Sequence, residues 1–345
     1  MNAGKQTLDW LYREQLRVDD EWSIRTPSGF KWWAYQHAQT IEIVGRETGP
    51  DGQVGELISV RTEFIKSIDL DDRKLASINK ILMPTASMAG VVYDAHAKTL
   101  SFASLVRVHE GIVAWMKPVL SVAAVLQIGE ARLFQQMVTE AWGAEDALSG
   151  PPGRELRDVP DEMAELCDGL IVPVGQEPAR WGEAEFDEAV EDYMRSAPAL
   201  AANAGGAGFT VEFPYGEQSS LCRAMADQRH PRYGNGLLMV QSFPVQVESE
   251  LKGAELALQM NAEELTKSPT GYGFGSYCYR GGMLHFNSFY PNALYRPGLL
   301  PNFYFAAAHR ARAMALRFTG KDWDNASFSA SRSALGRMID RLRGR

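Results

Sequence analysis

The chain contains the same aromatic β-hairpin pattern twice, and this repeat constrains the fold more than any other feature. One copy runs from Tyr277 to Phe289, with aromatic-rich segments on both sides of Gly281-Gly282. A Gly-Gly pair readily adopts the positive φ angles that a two-residue hairpin turn requires. The other copy runs from Val92 to Leu105. Both segments are therefore predicted to form β-hairpins.

The match between the two copies extends beyond the hairpins. One constant offset pairs Tyr93 with Tyr277, Leu100 with Leu284, Phe102 with Phe286 and Ser104 with Ser288. A slightly smaller offset pairs Gly29, Phe30, Gly55 and Phe64 with Gly208, Phe209, Gly234 and Phe243, and Ala131-Arg132 falls opposite Ala311-Arg312. A self-match over so long a period indicates that a whole domain occurs twice.

Hydrophobic periodicity predicts the same order of elements in each copy. In the first copy, apolar residues recur at helical spacing from Thr7 to Leu16, and alternation from Gly55 to Ile68 is typical of a half-buried strand. A long helix from Glu110 to Trp142, kinked or interrupted at Pro118, ends this copy. A short helix from Glu183 to Arg195 begins the second copy. The predicted fold class is α+β, with two tandem copies of an α-βββ-α-ββ-α unit whose antiparallel sheets form a pseudo-dimer.

The predicted domain boundaries follow from this repeat. The first α+β unit covers residues 1–142 and the second covers residues 183–320. Residues 143–182 are acidic, contain Pro151-Pro152-Gly153, and are predicted to be a connector without a core of its own. Residues 321–345 are predicted to form a basic tail helix, which we expect to contact the acidic connector because their charges are opposite.

Composition excludes several classes of protein. The 345 residues carry a formal net charge of -8, which disfavours nonspecific nucleic-acid binding because that requires Lys and Arg at the phosphates. The longest apolar run, Val119 to Ile128, is shorter than the roughly 20 residues of a membrane span. Cys167, Cys222 and Cys278 have no short spacing, and no signal-peptide pattern precedes them. We therefore predict a cytoplasmic protein with no nucleic-acid partner and no membrane span.

Motifs that carry chemistry are missing from the sequence. Gly271-Tyr272-Gly273-Phe274-Gly275 does not have the spacing of a phosphate-binding loop, and no two His or Cys residues have metal-ligand spacing. His285 matches Ser101 in the other copy and is interpreted as a sheet histidine. Acid-base catalysis by carboxylates that the fold brings together stays open. The sequence predicts no cofactor, no metal, no catalytic residues and hence no enzyme.

Aromatic residues in the strands suggest a binding surface. At Trp32-Trp33 and Phe289-Tyr290 both faces of a strand carry aromatic side chains, so one face is available for a partner if the other faces the core. The alternative is that helices or the other copy cover the second face. The residues predicted to bind a peptide are Trp32, Trp33, Tyr35, Phe213, Phe286, Phe289 and Tyr290.

The doubled element order resembles the superfamily that unites type III secretion chaperones with YbjN-like proteins. The resemblance covers Thr7 to Trp142 and Glu183 to Gly320 and rests on the order of elements and the doubled hairpin. It implies a small acidic protein that holds an extended partner segment against a sheet and helix surface. Fusion of two units in one chain departs from this pattern and implies an intramolecular pseudo-dimer.

Together these observations predict a non-catalytic cytoplasmic chaperone or adaptor that binds a peptide or protein client through sheet edges or aromatic faces. Two alternatives stay open. One is an enzyme or small-molecule sensor with a pocket between the two copies. The other is a structural subunit of a larger protein assembly, indicated by the basic tail.

Overall fold

The computed structural model describes residues 2–49, 52–85, 87–169, 181, 199–201 and 208–322. This part of the chain combines helices with two antiparallel sheets, so the predicted α+β fold class is confirmed. Two predicted helices cannot be compared with the structure. The helix from Glu183 to Arg195 lies outside the described residues, and so does the tail helix (residues 321–345) except for its first two residues.

The first sheet has the strand order β1-β2-β3-β4-β6-β5, and β7 pairs with β4. Its strands are β1 (Ser23–Arg25), β2 (Gly29–Trp32), β3 (Gln39–Thr48), β4 (Val54–Lys66), β5 (Gly90–Asp94), β6 (Thr99–Val108) and β7 (Glu145–Asp146).

The first unit contains helices at three points in the chain. Helix α1 (Ala3–Trp10) continues into a π-helical turn, Leu11–Gln15. A broken helix follows β4 and consists of α2 (Asp72–Ser77), a π-helical segment (Ile78–Leu82) and α3 (Met83–Thr85). Helices α4 (Val113–Trp142) and α5 (Glu162–Gly169) come after β6.

The second sheet has the strand order β12-β13-β11-β10-β9-β8. Its strands are β8 (Ala199–Ala201), β9 (Gly208–Tyr215), β10 (Gln218–His230), β11 (Gly234–Pro244), β12 (Ser276–Arg280) and β13 (Met283–Pro291). Helix α6 (Glu250–Thr266) precedes β12, and helix α7 (Leu299–Thr319) follows β13.

The two sheets share one strand order and one register. In the first, Phe30 pairs with Ile41, Ile41 with Val60 and Val60 with Ser104; in the second, Phe209, Ala224, Met239 and Ser288 pair in the same succession. The Ser104 hydroxyl donates to the Met88 carbonyl at 2.7 Å, and the Ser288 hydroxyl donates to the Phe274 carbonyl in the equivalent position. The shared register supports the predicted duplication of one unit, which stays a prediction.

One part of the predicted alignment needs correction. Tyr93 lies opposite Leu100, whereas Tyr279, not Tyr277, lies opposite Leu284. The first hairpin has a four-residue turn and the second has a two-residue turn at Gly281-Gly282, so a constant offset fails on the strand before the turn. Tyr279 is therefore the structural counterpart of Tyr93.

The predicted connector is packed more closely than expected. Asp161 donates its backbone N–H to the Ala34 carbonyl, and the Arg157 guanidinium donates to the Trp33 carbonyl at 2.7 Å. Met163 and Ala164 of α5 are buried in the core, and Trp181 packs edge-on against Tyr295. Residues 143–169 are thus part of the first unit, because they bury apolar side chains and donate to its backbone.

Helix α4 is longer than the apolar run from Val119 to Ile128, and it continues without interruption through Pro118. It is long and apolar enough to cross a membrane, but 67% of its most apolar stretch is buried inside the fold. Its Gln127 amide donates to the Val60 carbonyl of β4 and to the Ser104 hydroxyl of β6. Packing on the first sheet accounts for its apolar character.

The middle helices join the two units in a reciprocal way. Leu265 of α6 packs against Val92 and Ala103 on the first sheet, while the broken helix packs against β12 of the second sheet. Gly273 donates its N–H to the Leu105 carbonyl at 3.0 Å, and a Cβ at this glycine would lie 2.5 Å from that oxygen. The close backbone approach explains the glycine-rich segment and gives the predicted pseudo-dimeric arrangement a physical basis.

Candidate ligand-binding groove

The structure buries most of the residues predicted to bind a peptide. Six of the seven are at most 4% exposed, namely Trp32, Trp33, Phe213, Phe286, Phe289 and Tyr290. Tyr35 is partly buried, and the Arg132 guanidinium lies 5.4 Å from the centre of its ring. A partner cannot contact the six buried side chains in this structure.

Each buried aromatic packs against the fold itself. The indole N–H groups of Trp32 and Trp33 donate to Gln39 and Ser149, each at 3.0 Å. Tyr290 stacks on Phe303 of α7 at 3.9 Å between ring centres. Phe289 and Tyr290 do place aromatic side chains on both faces of β13, and helix α7 covers Tyr290, as in the alternative that the sequence left open. Strand β2 ends at Trp32, so Trp33 lies outside it and contacts Ser149 of the segment after α4.

A different surface is open. A groove of about 930 Å³ lies between the second sheet and the broken helix of the first unit. Its floor consists of side chains from β11, β12 and β13, and its walls come from the broken helix and the start of α6. The residues that define the groove are Ala76, Asn79, Lys80, Pro84, Leu238, Val240, Glu250, Leu251, Ala254, Cys278, Tyr279, Arg280, His285 and Asn287.

The irregular shape of the broken helix keeps the groove open. Helix α6 is a regular helix of 17 residues, and its Ala262 and Leu265 cover the outer face of the first sheet. The broken helix has only 6 α-helical residues before its π-helical segment, and Pro84 lies within α3, the short helix that ends it. A π-helical segment changes the direction of successive side chains, and proline prevents regular continuation. The outer face of the second sheet therefore remains partly uncovered.

A smaller cavity occupies the equivalent place in the first unit. This cleft, of about 360 Å³, contains Tyr93, the counterpart of Tyr279, together with the start of the broken helix and part of α6. The residues that define the cleft are Leu70, Asp71, Asp72, Leu75, Tyr93, Glu255, Leu258, Gln259 and Ala262. The two cavities thus share the middle helices and the equivalent tyrosine position, but they differ in volume and in charged residues, and Tyr93 is the only strand residue among those that define the cleft.

Three polar side chains form a row on the outer face of the second sheet. Cys278 pairs with His285 across β12 and β13, and His285 pairs with Ser242 across β13 and β11, so their side chains point to the same face. His285 Nδ1 lies 2.9 Å from the Ser242 hydroxyl, and the Asn287 amide donates to the Cys278 sulfur at 3.1 Å. These hydrogen bonds fix the floor of the groove.

The electrostatics of this row do not favour nucleophilic catalysis. Burial raises the pKa of the Cys278 thiol to about 11, although the hydrogen bond from Asn287 acts in the opposite direction. Burial also lowers the pKa of His285. A reactive cysteine needs a lowered pKa and a partner that stabilises its thiolate. Cys278 and His285 are therefore suited to a neutral, weakly polar floor.

Within the part of the chain that the structure describes, no group of three or more His, Cys, Asp or Glu side chains is arranged to hold a metal ion. Apart from the charged residues at its rim, the groove offers a cofactor one thiol, one imidazole and two amides on a mainly apolar surface. These groups suit hydrogen bonding to a ligand.

The edge of the second sheet is closed by two asparagine side chains. The Asn79 amide donates to the Tyr279 carbonyl and accepts from the Tyr279 N–H, both at 2.7 Å. Asn261 of α6 accepts from the Tyr277 N–H at 2.7 Å and donates to the Tyr277 carbonyl at 3.3 Å. Both outward-facing residues of β12 are thereby satisfied, and this edge cannot pair with an added strand.

The rim of the groove carries three charged residues. Lys80 and Arg280 are exposed, and neither forms an ion pair with another described residue. Glu250 accepts the Gly281 N–H at 3.1 Å, which holds its carboxylate against the hairpin turn.

Sequence reasoning considered Cys278 and His285 one at a time and did not find the groove. The missed signal is the continuous apolar run from Leu237 to Val240 in β11, which puts apolar side chains on both faces of the strand; Leu238 and Val240 prove to be only half-buried. Asn79 was a further signal, because it places a hydrogen-bonding amide in a helical segment. Finding the groove from these signals required knowing that the broken helix of one unit crosses to the sheet of the other.

Comparisons with protein-family models, curated proteins and solved structures found no match. The resemblance to type III secretion chaperones and YbjN-like proteins thus rests on the order of elements and stays a prediction.

Proposed function

We propose that the protein is a non-catalytic binding protein whose groove takes up apolar side chains of a polypeptide client. The observation that carries this proposal is the groove itself, a half-open cavity of about 930 Å³ with a mainly apolar lining. Ligand pockets of about 300–1,000 Å³ bury most of a bound ligand and use a few polar groups for orientation. Leu238, Val240 and Leu251 supply the apolar surface, and His285 and Asn287 supply the polar groups.

The proposed mode of binding differs from the mode that the sequence suggested. Strand addition at β12 would require free N–H and C=O groups at Tyr277 and Tyr279, and the asparagine side chains already bind them. The client is therefore held by insertion of its side chains between the broken helix and α6. Burial of apolar area on the groove floor supplies most of the affinity, at about 25 cal/mol per Å².

A second candidate function is a small-molecule sensor. The location of the groove between the two units supports this function. The first unit contributes Ala76, Asn79, Lys80 and Pro84, and the second unit contributes the remaining lining residues. A ligand bound there contacts both units and stabilises their contact.

The test is to fill the groove from its wall. Ala76 lies on α2, is exposed and lines the groove, so Ala76→Trp adds a large side chain without disturbing the core. The matched control is Ala141→Trp, at an exposed position of α4 away from the groove. Binding of fluorescently labelled apolar peptides is followed by anisotropy for the two variants and for the unchanged protein.

We expect Ala76→Trp to weaken peptide binding by at least about tenfold, because the inserted indole displaces the client side chain from its contacts. Ala141→Trp should bind as the unchanged protein does. Equal affinity in all three proteins would show that the client binds elsewhere. Absence of peptide binding, together with thermal stabilisation by a metabolite, would favour the sensor.

A further inference from the structure

Two positively charged residues lie at the rim of the groove and form no ion pair with another described residue. Lys80 lies in the π-helical segment of the broken helix, and Arg280 is the last residue of β12 before the hairpin turn. Both are exposed, line the groove, and have no ion-pair partner among the described residues. Their charges consequently do not stabilise the fold through an ion pair.

The one acidic residue of the rim is already engaged. Glu250 accepts the Gly281 N–H at 3.1 Å and lies in the first turn of α6, where the helix dipole favours a negative charge. Its structural role is to fix the hairpin turn against α6. Its carboxylate still carries a negative charge, but the two cations outnumber it among the charged residues that line the groove.

The equivalent cleft has the opposite charge. Its lining includes the acidic residues Asp71, Asp72 and Glu255 and contains no Lys or Arg. Lys74 and Lys252 lie beside it and pair with Asp71 at 3.6 Å and with Glu255 at 2.7 Å. Two acids of the cleft are thus paired within the fold, whereas the two cations of the groove have no ion-pair partner among the described residues. The cations of the groove are therefore available to an anionic group of a ligand.

From this charge difference we infer that the groove selects a polypeptide segment in which an acidic residue adjoins the apolar side chains. This inference rests on the proposed function and names its class of partner. The apolar side chains enter the floor, and the neighbouring carboxylate pairs with Lys80 and Arg280 at the rim. Arginine binds a carboxylate through two parallel N–H groups, which adds orientation to the charge attraction.

Because the whole chain is acidic, preference for an acidic peptide must come from the positive charges at the rim of the groove. A formal net charge of -8 repels an acidic peptide at long range, so attraction must arise locally at the groove. Exposed charge pairs are screened by salt over about 8–10 Å near physiological ionic strength. Selection should therefore be strongest at low salt and should decline as salt is added, while the apolar contribution to binding remains.

The experiment compares three peptides with one apolar core, in which the adjoining residue is Asp, Asn or Lys. They are titrated against the unchanged protein, against the Lys80→Glu/Arg280→Glu double variant and against a charge control. The control, Lys267→Glu, reverses an exposed lysine outside the groove, and a Lys267→Glu/Lys5→Glu double variant matches the total change of charge. Thermal unfolding verifies that each variant is folded.

We expect the unchanged protein to prefer the Asp peptide over the Lys peptide by about tenfold at low salt, and the groove variant to reverse this order. The charge controls should retain the original order. If all three peptides bind the unchanged protein equally, the inferred preference for an acidic residue is wrong, while the proposed binding of apolar side chains in the groove is unaffected. If no peptide binds at all, the proposed function itself fails.

Discussion

Asn79 binds the backbone of Tyr279 through both ends of its side-chain amide, across 200 residues of chain. The amide occupies the place that a neighbouring strand would take at the edge of β12. One side chain of the first unit thus closes the sheet of the second unit and forms part of the groove wall.

We predict that Asn79→Ala destabilises the protein and opens this edge. Loss of both hydrogen bonds leaves the N–H and C=O groups of Tyr279 without their partner, at a cost of about 1–3 kcal/mol. Urea unfolding should show the loss, and hydrogen exchange should show faster exchange at the Tyr279 amide. Unchanged stability together with unchanged exchange would contradict this role for Asn79.

A second junction between the units contains a buried carboxyl group. Glu130 of α4 is 1% exposed, and its Oε1 accepts from the Ser87 N–H at 3.0 Å and from the Tyr233 hydroxyl at 3.3 Å. Its Oε2 has no hydrogen-bond partner among the described residues. Burial raises the pKa of Glu130 to about 7, while the Ser87 hydrogen bonds and the nearby Arg232 act in the opposite direction.

This raised pKa predicts a pH-dependent stability. Between pH 4.5 and about 7 the folded protein retains a proton that the unfolded chain has lost, so the free energy of unfolding falls as pH rises through this window. One such proton contributes about 1.4 kcal/mol per pH unit. We expect Glu130→Gln to remove this slope.

The measurement is urea unfolding of Glu130→Gln and of the unchanged protein from about pH 5 to about pH 8. The stability of the variant relative to the unchanged protein should increase with pH. Subtracting the free energy of unfolding of one protein from that of the other removes the contribution of histidines that titrate in both. Two parallel stability curves would show that Glu130 keeps an ordinary pKa in the folded protein.

The core of the second unit contains a buried ion pair. The Arg310 guanidinium bonds to Glu264 through Nε at 3.0 Å and to Gln241 through Nη1 at 2.8 Å. The Tyr277 hydroxyl donates to Glu264 at 2.7 Å, and Arg310 lies 3.6 Å from the centre of the Phe286 ring. Every described charge in this cluster is thus paired and hydrogen-bonded.

We predict that Arg310→Met costs about 3–5 kcal/mol, because it leaves the Glu264 carboxylate buried without its cation. The double variant Arg310→Met/Glu264→Met should lose less than the two single variants together, since no unpaired charge remains. Denaturant unfolding of the four proteins gives the coupling energy. Simple additivity of the single losses would contradict direct pairing.

The groove thiol provides a test of the non-catalytic interpretation. With its pKa raised to about 11, Cys278 should react slowly with iodoacetamide at neutral pH in the folded protein and rapidly after unfolding. Mass spectrometry of the Cys278 peptide measures this directly. Rapid alkylation of the folded protein would indicate a stabilised thiolate and would favour an enzyme.

The sequence was sufficient to predict the α+β fold class and most of the helices and strands that the structure describes. Gly281-Gly282 required a tight turn, and the matched positions Phe30 and Phe209 proved to occupy equivalent rows of the two sheets. The short edge strands β1 and β8 were missed, because three residues give too little alternation to identify a strand. The Tyr93 alignment failed because the turns differ in length.

The site was harder to predict, because it depends on contacts between distant parts of the chain. Aromatic residues such as Tyr290 predict burial in general, and they do not reveal whether a helix or a partner covers them. Lys80 and Arg280 belong to different units and come together only where the broken helix crosses to the second sheet. Local periodicity contains no information about that crossing.

The central claim is that a polypeptide client binds in the groove, and methyl NMR during a peptide titration tests it most directly. The account predicts chemical-shift changes at Leu238, Val240 and Leu251, which line the groove, and none at Leu75 and Leu258, which line the cleft. Changes confined to the cleft, or peptide binding that leaves the three groove residues unaffected, would contradict it.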